Sequence, residues 1–236
     1  MVYDEQEFYK GYEIITRPDY LVDNPRVTQD NLFQFIGGDR NHYCPENSDY
    51  KLSGNIWIDA ANFYGNEFEP EQAKEAESWV EENLFYYKIY FHDHSYYSLH
   101  FSKIDPWDSG LFGLLCVKYD RLFAEYNVDK LDSKIITKLG DIAQRELDEY
   151  QAYLNNDFKE LSVYRDGNRL GAAGYIRPQE LDADITLLKK DIDKHIEKRE
   201  QASVAKLKEL IASKMPIEKI PAILHEVYNE EPCDFF

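Results

Sequence analysis

The sequence predicts an α+β fold: antiparallel sheet with hairpins and packed helices, followed by a C-terminal helical segment. Strand-like runs joined by short turns are interspersed with helical repeats, without the regular alternation of a parallel sheet. Aromatic residues make up 15% of the chain, which is typical of a folded core. We divide the chain into an acidic N-terminal α+β region (1–83), a core with a Trp-Asp-Ser-Gly turn (84–177) and a C-terminal helical arm (178–236).

The N-terminal region is predicted to hold two strands and one helix. The runs "YEIIT" (12–16) and "NIWIDA" (55–60) are rich in β-branched and aromatic residues, which favours strands. The run "EPEQAKEAESWVEENL" (69–84) predicts an amphipathic helix with Pro70 in its first turn. One face of this helix is apolar and the other carries glutamates.

The middle of the chain predicts two hairpins around a helix. Residues 84–104 form aromatic runs on both sides of His92-Asp93-His94-Ser95, which we interpret as a hairpin tip. The uncharged run 111–119 predicts a buried strand, and 120–157 predicts helix with a cap at Asp132 or Ser133. A second hairpin is predicted around Asp166-Gly167, because Asp-Gly favours a tight turn.

The C-terminal segment predicts helices. From Pro178 the pattern favours one helix of about 35 residues or a two-helix hairpin, used for packing or self-association. Its heptad register slips where His195 and Arg199 occupy apolar positions. The run 215–228 predicts one or two short helical turns, interrupted at Pro221.

The charge of the chain is strongly negative. The sequence has 45 acidic and 27 basic residues, a net charge of −18, and residues 1–83 alone hold 18 acids against 6 bases. Such a surface repels nucleic acid and anionic membrane and favours basic partners. The cysteines Cys44, Cys116 and Cys233 form no CxxC pair, so we expect a reducing cytoplasm and no structural zinc site.

A metal site is the first alternative for the histidine-rich stretch. Its candidate ligands are His92, His94, His100, Asp93, Asp105 and Asp108. On extended chain the three histidines share one face. However, His100 would lie about 20 Å from the hairpin tip at about 3.3 Å per residue, too far for one zinc ion. We therefore expect no metal.

Catalytic motifs are also weak. Ser109 lacks the preceding glycine of a nucleophile elbow, since Trp107 stands there. Cys116 lies inside an apolar run, and the glycines at 37–38 and 171–174 lack the spacing of phosphate loops. Trp107 is expected to anchor a turn, with a binding role as the alternative. We expect no catalytic residues and no cofactor.

The run "DHS…PWDSGLFGLLCV", within residues 93–117, resembles a signature of small acidic phage, plasmid and conjugative-element proteins, roughly DHSG…PWDSGQVGxIYV. The similarity covers about residues 88–167 and continues in "ELDEYQAYLNNDF" and "VYRDG". The chain departs from it at Tyr96, Leu111-Phe112 and Cys116, where the signature has Gly, Gln-Val and Tyr. The resemblance implies a mobile-element origin more firmly than an activity.

A second stretch, "SGNIWIDAANFYGNEFEPEQAKEAESWVEE" (53–82), is similar to the opening of ArdA-type antirestriction proteins. In that family a G-x-W-I/F-D strand precedes an acidic helix. The resemblance implies a protein that imitates the charge of DNA. Carboxylates at phosphate-like spacing can occupy a groove built for a nucleic-acid backbone.

We therefore expect a non-enzymatic phage or mobile-element protein in the host cytoplasm that inhibits a nucleic-acid-targeting defence system, antirestriction or anti-CRISPR. The expected partner is a basic nuclease or CRISPR effector, without direct binding of nucleic acid or membrane. The expected contact residues are Glu67, Glu69, Glu71, Glu75, Glu77, Glu81 and Glu82. The alternative is a structural or regulatory interaction protein that dimerises through its C-terminal helices; a hydrolase using the His–Asp hairpin is a third class.

Overall fold

The computed structural model describes residues 4–38, 43–94, 96–104, 109–230 and 235–236, and it has the predicted α+β class. The chain forms two compact units. The discontinuous unit comprises Met1–Tyr20 and Asp157–Phe236, and the inserted unit comprises Leu21–Asn156. This division differs from the three predicted segments, because strands on either side of the inserted unit pair with each other.

The strands and helices are as follows, in chain order: β1 (Glu5–Tyr9), β2 (Tyr12–Pro18), α1 (Pro25–Thr28), β3 (Gln34–Gly37), α2 (Ile56–Phe63), α3 (Ala73–Asn83), β4 (Leu84–His94), β5 (Tyr96–His100), β6 (Ser109–Lys118), α4 (Tyr119–Tyr126), α5 (Ser133–Leu154), β7 (Lys159–Arg165), β8 (Asn168–Ile176), α6 (Leu181–Ala212) and α7 (Ile220–Glu230). Short 3₁₀ turns at Pro70–Gln72 and Ile217–Lys219 lead into α3 and α7. Within the described residues, each helix is too short or too polar to span a lipid bilayer.

The discontinuous unit is one antiparallel sheet covered by helices. Its strand order is β1-β2-β7-β8, and β7 and β8 form the predicted hairpin. Asp166 and Gly167 both have positive φ, at 50° and 78°, as a tight primed turn requires. Helix α6 contributes Leu188 and Ile192 to a core with residues of β2 and β7, and α7 packs against α6.

The inserted unit is a four-stranded antiparallel sheet with the order β3-β6-β4-β5 and a hydrophobic core on each face. One core joins the sheet to α4 and α5, and the other joins it to α2 and α3. The predicted buried strand is β6, whose residues Phe112–Val117 are buried without a break. Gly37 and Gly113 are directly paired, and a Cβ on either would clash with the opposite backbone.

The predicted strand at 55–60 is wrong, because this segment begins helix α2. The side-chain oxygen of Asn55 accepts hydrogen bonds from the amides of Trp57 and Ile58, at 3.0 and 3.3 Å. This is an N-terminal helix cap, which satisfies amides that lack a partner within the helix. A short run of mostly apolar residues is compatible with a buried helix as well as with a strand, and the cap at Asn55 decides for the helix.

Two further helical predictions need correction. The predicted helix at 120–157 is two helices, because Asn127 adopts a left-handed conformation that ends α4 before Asp132 caps α5. Pro221 does not interrupt a helix but lies in the first turn of α7, where its missing amide hydrogen costs little. The long C-terminal helix was predicted as one alternative, and α6 spans 32 residues.

A buried arginine holds the inserted unit together. Arg26 is 4% exposed and pairs with two carboxylates on distant segments. Its Nη2 lies 2.7 Å from Glu46 Oε1, and its Nη1 donates to Glu146 Oε2 at 2.8 Å. Burial raises the pKa of the Glu46 carboxyl, and the Arg26 guanidinium opposes this rise. The network therefore contains one buried cation and two acids.

The same carboxylates also fix the start of β3. Glu146 Oε1 accepts from the amide of Leu32 at 2.8 Å, and Glu46 Oε1 accepts from the amide of Phe35 at 2.7 Å. Arg26 also donates to the carbonyl of Phe33. Helix α5, the loop before α2 and the start of β3 are therefore joined through one guanidinium.

We expect Arg26→Met to lower the free energy of unfolding of the inserted unit by about 3–5 kcal/mol, since it leaves two buried carboxylates without a counter-charge. Urea unfolding followed by tryptophan fluorescence measures this, because Trp57, Trp79 and Trp107 all belong to that unit. The exposed Arg145 provides the control: Arg145→Met should leave the midpoint nearly unchanged. Equal effects of the two substitutions would contradict the structural role of Arg26.

Candidate functional site

The predicted contact residues lie on α3 and on the segment directly before it, and together they are here called the glutamate face. It consists of Glu67, Glu69, Glu71, Glu75, Glu77, Glu81 and Glu82. Six of these side chains are exposed, and Glu77 is partly buried. The predicted amphipathic helix that carries most of them is confirmed as the 3₁₀ turn and α3.

Local sequence fixes the direction in which the glutamates point. The backbone amide of Glu69 donates to Gln72 Oε1 at 2.9 Å, and this capping box starts the helix together with Pro70. Ala76 and Val80 are fully buried against the inserted unit's sheet. Because these two residues anchor one side of α3, the glutamates at other helical angles face outwards.

The glutamates of the helix form two rows about 120° apart around its axis, at 100° per residue. Glu75 and Glu82 lie about 20° apart around the axis of α3 at 3.6 residues per turn, and Glu71 precedes them in the 3₁₀ turn. Glu77 and Glu81 form the second row, with Cβ atoms about 5–6 Å apart at this spacing. Residues 71–82 span about 16 Å along the axis and carry five carboxylates, divided between the two rows.

Among the described residues, no cation neutralises the charges of the glutamate face by an ion pair. Glu81 and Glu82 also occupy the last turn of α3, which contains no base. Acids at a helix C-terminus oppose the helix dipole and each cost about 0.3–1 kcal/mol. These two glutamates therefore do not serve to stabilise the helix.

Aromatic residues border the glutamate face. The rings of Trp57 and Tyr86 meet edge to face, with centroids 5.5 Å apart, and Lys88 Nζ lies 4.9 Å from the Trp57 ring. Partial burial raises the pKa of Tyr86, and the negative charges of Glu81 and Glu77 raise it further. The field of the two glutamates thus reaches the neighbouring strand β4.

A cleft opens beside the C-terminal end of α3. It has a volume of about 380 Å³ and is lined by Trp79, Glu82, Asn83, Lys118, Tyr119, Asp120 and Phe123. The rings of Tyr119 and Phe123 are stacked, with centroids 5.9 Å apart. Glu82 belongs both to this cleft and to the glutamate face, so a partner side chain could contact charge and aromatic surface together.

The histidine hairpin has the predicted strands, β4 and β5. The predicted large distance between His92 and His100 is wrong. His92 pairs with Ser98, and Tyr90 pairs with His100, so His92 and His100 are diagonal neighbours across β4 and β5. Ser98 Oγ lies within hydrogen-bond distance of His100 Nε2. Partial burial, and then the nearby His92, lower the pKa of His100. Counting along one strand overlooked this cross-strand proximity.

Several other predicted residues are only partly described. Asp105, Trp107, Asp108 and Cys233 lie outside the described residues, as do the side chains of Asp93 and His94. Across the described part of the chain, no three His, Cys, Asp or Glu side chains converge as metal ligands.

The two candidate nucleophiles that the structure describes are buried. Ser109 begins β6 and is 7% exposed. Cys116 lies in the same strand and is fully buried, which raises its pKa to about 12 and keeps the thiol protonated. Cys116 thus behaves as the small apolar residue that the sequence predicts.

Sequence reasoning missed a group of cations on the discontinuous unit. Arg199 is 3% exposed and donates from Nη2 to the side chain of Asn229 at 2.9 Å. The break in the heptad register at His195 and Arg199 was the visible signal. A basic residue at a buried helical position needs polar partners, and the sequence alone does not say which.

No family model, curated protein or solved structure matches this chain. The resemblances to mobile-element proteins and to ArdA-type proteins therefore stay predictions. The properties of the glutamate face come from this chain's own residues: exposure, spacing and unpaired charge.

We expect Glu81→Gln to lower the pKa of Tyr86, because a nearby carboxylate disfavours the phenolate. A pH titration by NMR of ¹³Cζ-labelled tyrosine measures it, with Tyr86→Phe assigning the signal. Glu82→Gln is the matched control, since Glu82 follows directly in the helix but points to the other row. Equal shifts in both variants would show that Glu81 does not act on Tyr86 specifically.

Proposed function

We propose that the protein is a phage or mobile-element inhibitor of a host defence system that targets nucleic acid, by restriction or by CRISPR. It acts in the host cytoplasm by binding a basic nuclease or effector, with the glutamate face in place of nucleic-acid phosphates. The observation that carries the proposal is the row of exposed carboxylates with no ion-pair partner among the described residues. The mechanism is binding alone and involves no cofactor or metal.

Charge density supports this proposal. A groove that binds nucleic acid presents Lys and Arg at intervals set by the phosphate backbone. Carboxylates accept bidentate hydrogen bonds from arginine, as phosphates do. The 3₁₀ turn and α3 present five carboxylates within about 16 Å, so several basic side chains can be paired at once.

Rigidity supports it as well. The capping box at Glu69 and the buried Ala76 and Val80 hold α3 in one orientation before any partner binds. Less conformational entropy is then lost on binding than with a flexible acidic tail. Trp57 and Tyr86 beside the acids add aromatic surface of the kind found at interface hot spots. A phosphate backbone has no such aromatic rim. Contacts with this rim would therefore favour one particular nuclease or effector as the partner.

The test is protection of a phage in cells that carry a restriction or CRISPR system directed against it. We expect the wild-type protein to restore plaque formation and the variant Glu71→Lys, Glu75→Lys, Glu81→Lys to lose this activity. Reversed charges facing a basic groove cost several kcal/mol, so binding should weaken by about 100-fold or more. The control is Glu197→Lys, Glu200→Lys, Glu218→Lys, three exposed acids of the discontinuous unit with the same change in charge.

The purified target then gives the physical readout. The dissociation constant should rise steeply with salt, because exposed charges at such an interface are screened and bound counterions are released. Salt-independent binding, or equal loss of protection in both triple variants, would contradict a role for the glutamate face. A wild-type protein that protects against neither class of system would contradict the proposed function.

A second candidate is a regulatory protein that dimerises through its C-terminal helices. Val204 and Ile211 lie one heptad apart on α6 and are 50% and 62% exposed, as an unfilled helical interface would be. If this candidate is correct, light scattering gives twice the chain mass of 27.9 kDa, and Val204→Glu with Ile211→Glu restores the monomer. A monomeric wild-type protein would contradict this second candidate function.

A further inference from the structure

We propose that the discontinuous unit contains a binding site for a phosphate-bearing small molecule, in a cleft between the β7–β8 hairpin and helices α6 and α7. The cleft has a volume of about 690 Å³. Its charged and aromatic lining includes Arg165, Arg169, Arg199, His225, Tyr228 and Asp166. Three arginines against one acid make a cationic site in a chain whose net charge is −18.

Arg199 is the most buried of the three arginines that line this cleft. It is 3% exposed, and it forms no ion pair with a described residue. Its described hydrogen-bond acceptors are all neutral: the carbonyl of Tyr228, the hydroxyl of Tyr12 and the side-chain oxygen of Asn229. Buried charges in proteins are normally paired, because desolvation of an isolated ion is costly. An anion in the cleft would supply the counter-charge that Arg199 lacks among these contacts.

Donor groups remain available for such an anion. A guanidinium has five N–H donors. Arg199 uses one at each of its three nitrogens for the contacts to Tyr228, Tyr12 and Asn229, which leaves two. The planar fork of a guanidinium matches the geometry of phosphate oxygens.

Arg165 and Arg169 extend the site along the β7–β8 hairpin. The Cζ atoms of Arg199 and Arg165 lie 3.7 and 5.2 Å from the centroid of the Tyr228 ring, so two cations share one aromatic ring. Arg169 pairs with Glu160 at 2.9 Å, and Arg165 lies 3.6 Å from the exposed carboxylate of Asp166. Each pair has one exposed partner and is screened by solvent, so a phosphate can replace it.

The volume of the cleft and the negative charge of the protein restrict the ligand to a small molecule. A volume of several hundred Å³ is typical of small-molecule sites. The strongly negative chain disfavours nucleic acid, whose long backbone would face many of the 45 acidic residues. A small phosphate-bearing molecule places its charge only within the cationic cleft.

Calorimetric titration of the full-length protein with pyrophosphate at constant ionic strength tests the site. We expect saturable binding at one site per chain, weakened about tenfold by Arg165→Gln or Arg169→Gln, because each variant loses a charge-assisted hydrogen bond to the phosphate. Both arginines are outside the core, so these variants avoid the folding risk of substituting the buried Arg199. Arg145→Gln, an exposed arginine of the inserted unit, is the matched control and should bind like the wild type.

Further titrations identify the source of the phosphate. Tighter binding of ATP than of pyrophosphate would indicate a nucleotide, and equal binding of inorganic phosphate and pyrophosphate would indicate a single phosphoryl group. A short DNA duplex should not compete. Absence of saturable binding by all three small ligands, or equal weakening in Arg145→Gln, would overturn the site. The glutamate face is not involved, so this outcome is independent of the proposed inhibitor function.

Discussion

The inserted unit depends on the guanidinium of Arg26. Its partners Glu46 and Glu146 are 20 and 120 residues from it along the chain, and both carboxylates also accept hydrogen bonds from backbone amides at the start of β3. The sheet that carries α3 on one face and α5 on the other is therefore positioned by charge as well as by apolar packing. A polar network of this kind requires well-formed hydrogen bonds, because each buried polar group without a partner carries a large desolvation cost. It holds the surface on which the glutamates are displayed.

Much of the fold could be predicted because its signals are local. Asp166-Gly167 has one favourable conformation in a hairpin, and the alternation of Ala76 and Val80 with glutamates needs only a helical period. The segment at 55–60 could not be predicted in the same way. Its apolar residues suit either structure, and the hydrogen bonds from Asn55 that decide for a helix involve only one short side chain. The contacts of Arg26 reach across the chain, so no local pattern reveals them.

The two proposed surfaces differ in the same respect. The glutamate face could be located from the sequence, because residues repeating along one exposed helix need no knowledge of other elements. The cationic cleft could not, because Arg165, Arg199 and His225 come from a hairpin and two helices that meet only in the folded unit. The predicted separation of two histidines was wrong for a related reason: His92 and His100 are far apart along the chain but adjacent across two strands. Proximity that arises between elements requires the structure.

The chain leaves the discontinuous unit after Tyr20 and returns at Asp157, where Pro18 of β2 pairs with Lys159 of β7. On the ribosome, β1 and β2 emerge long before β7 exists, whereas all residues of the inserted unit emerge consecutively. The unit that carries the glutamates can thus fold during synthesis. The β1–β2 hairpin, in contrast, stays without its neighbouring strand β7 until that strand has been synthesised. Because the exit and return points are paired, a short turn in place of residues 21–156 would preserve the strand connection. The unit that carries the glutamates is thus a topological insertion between two paired strands of the other unit.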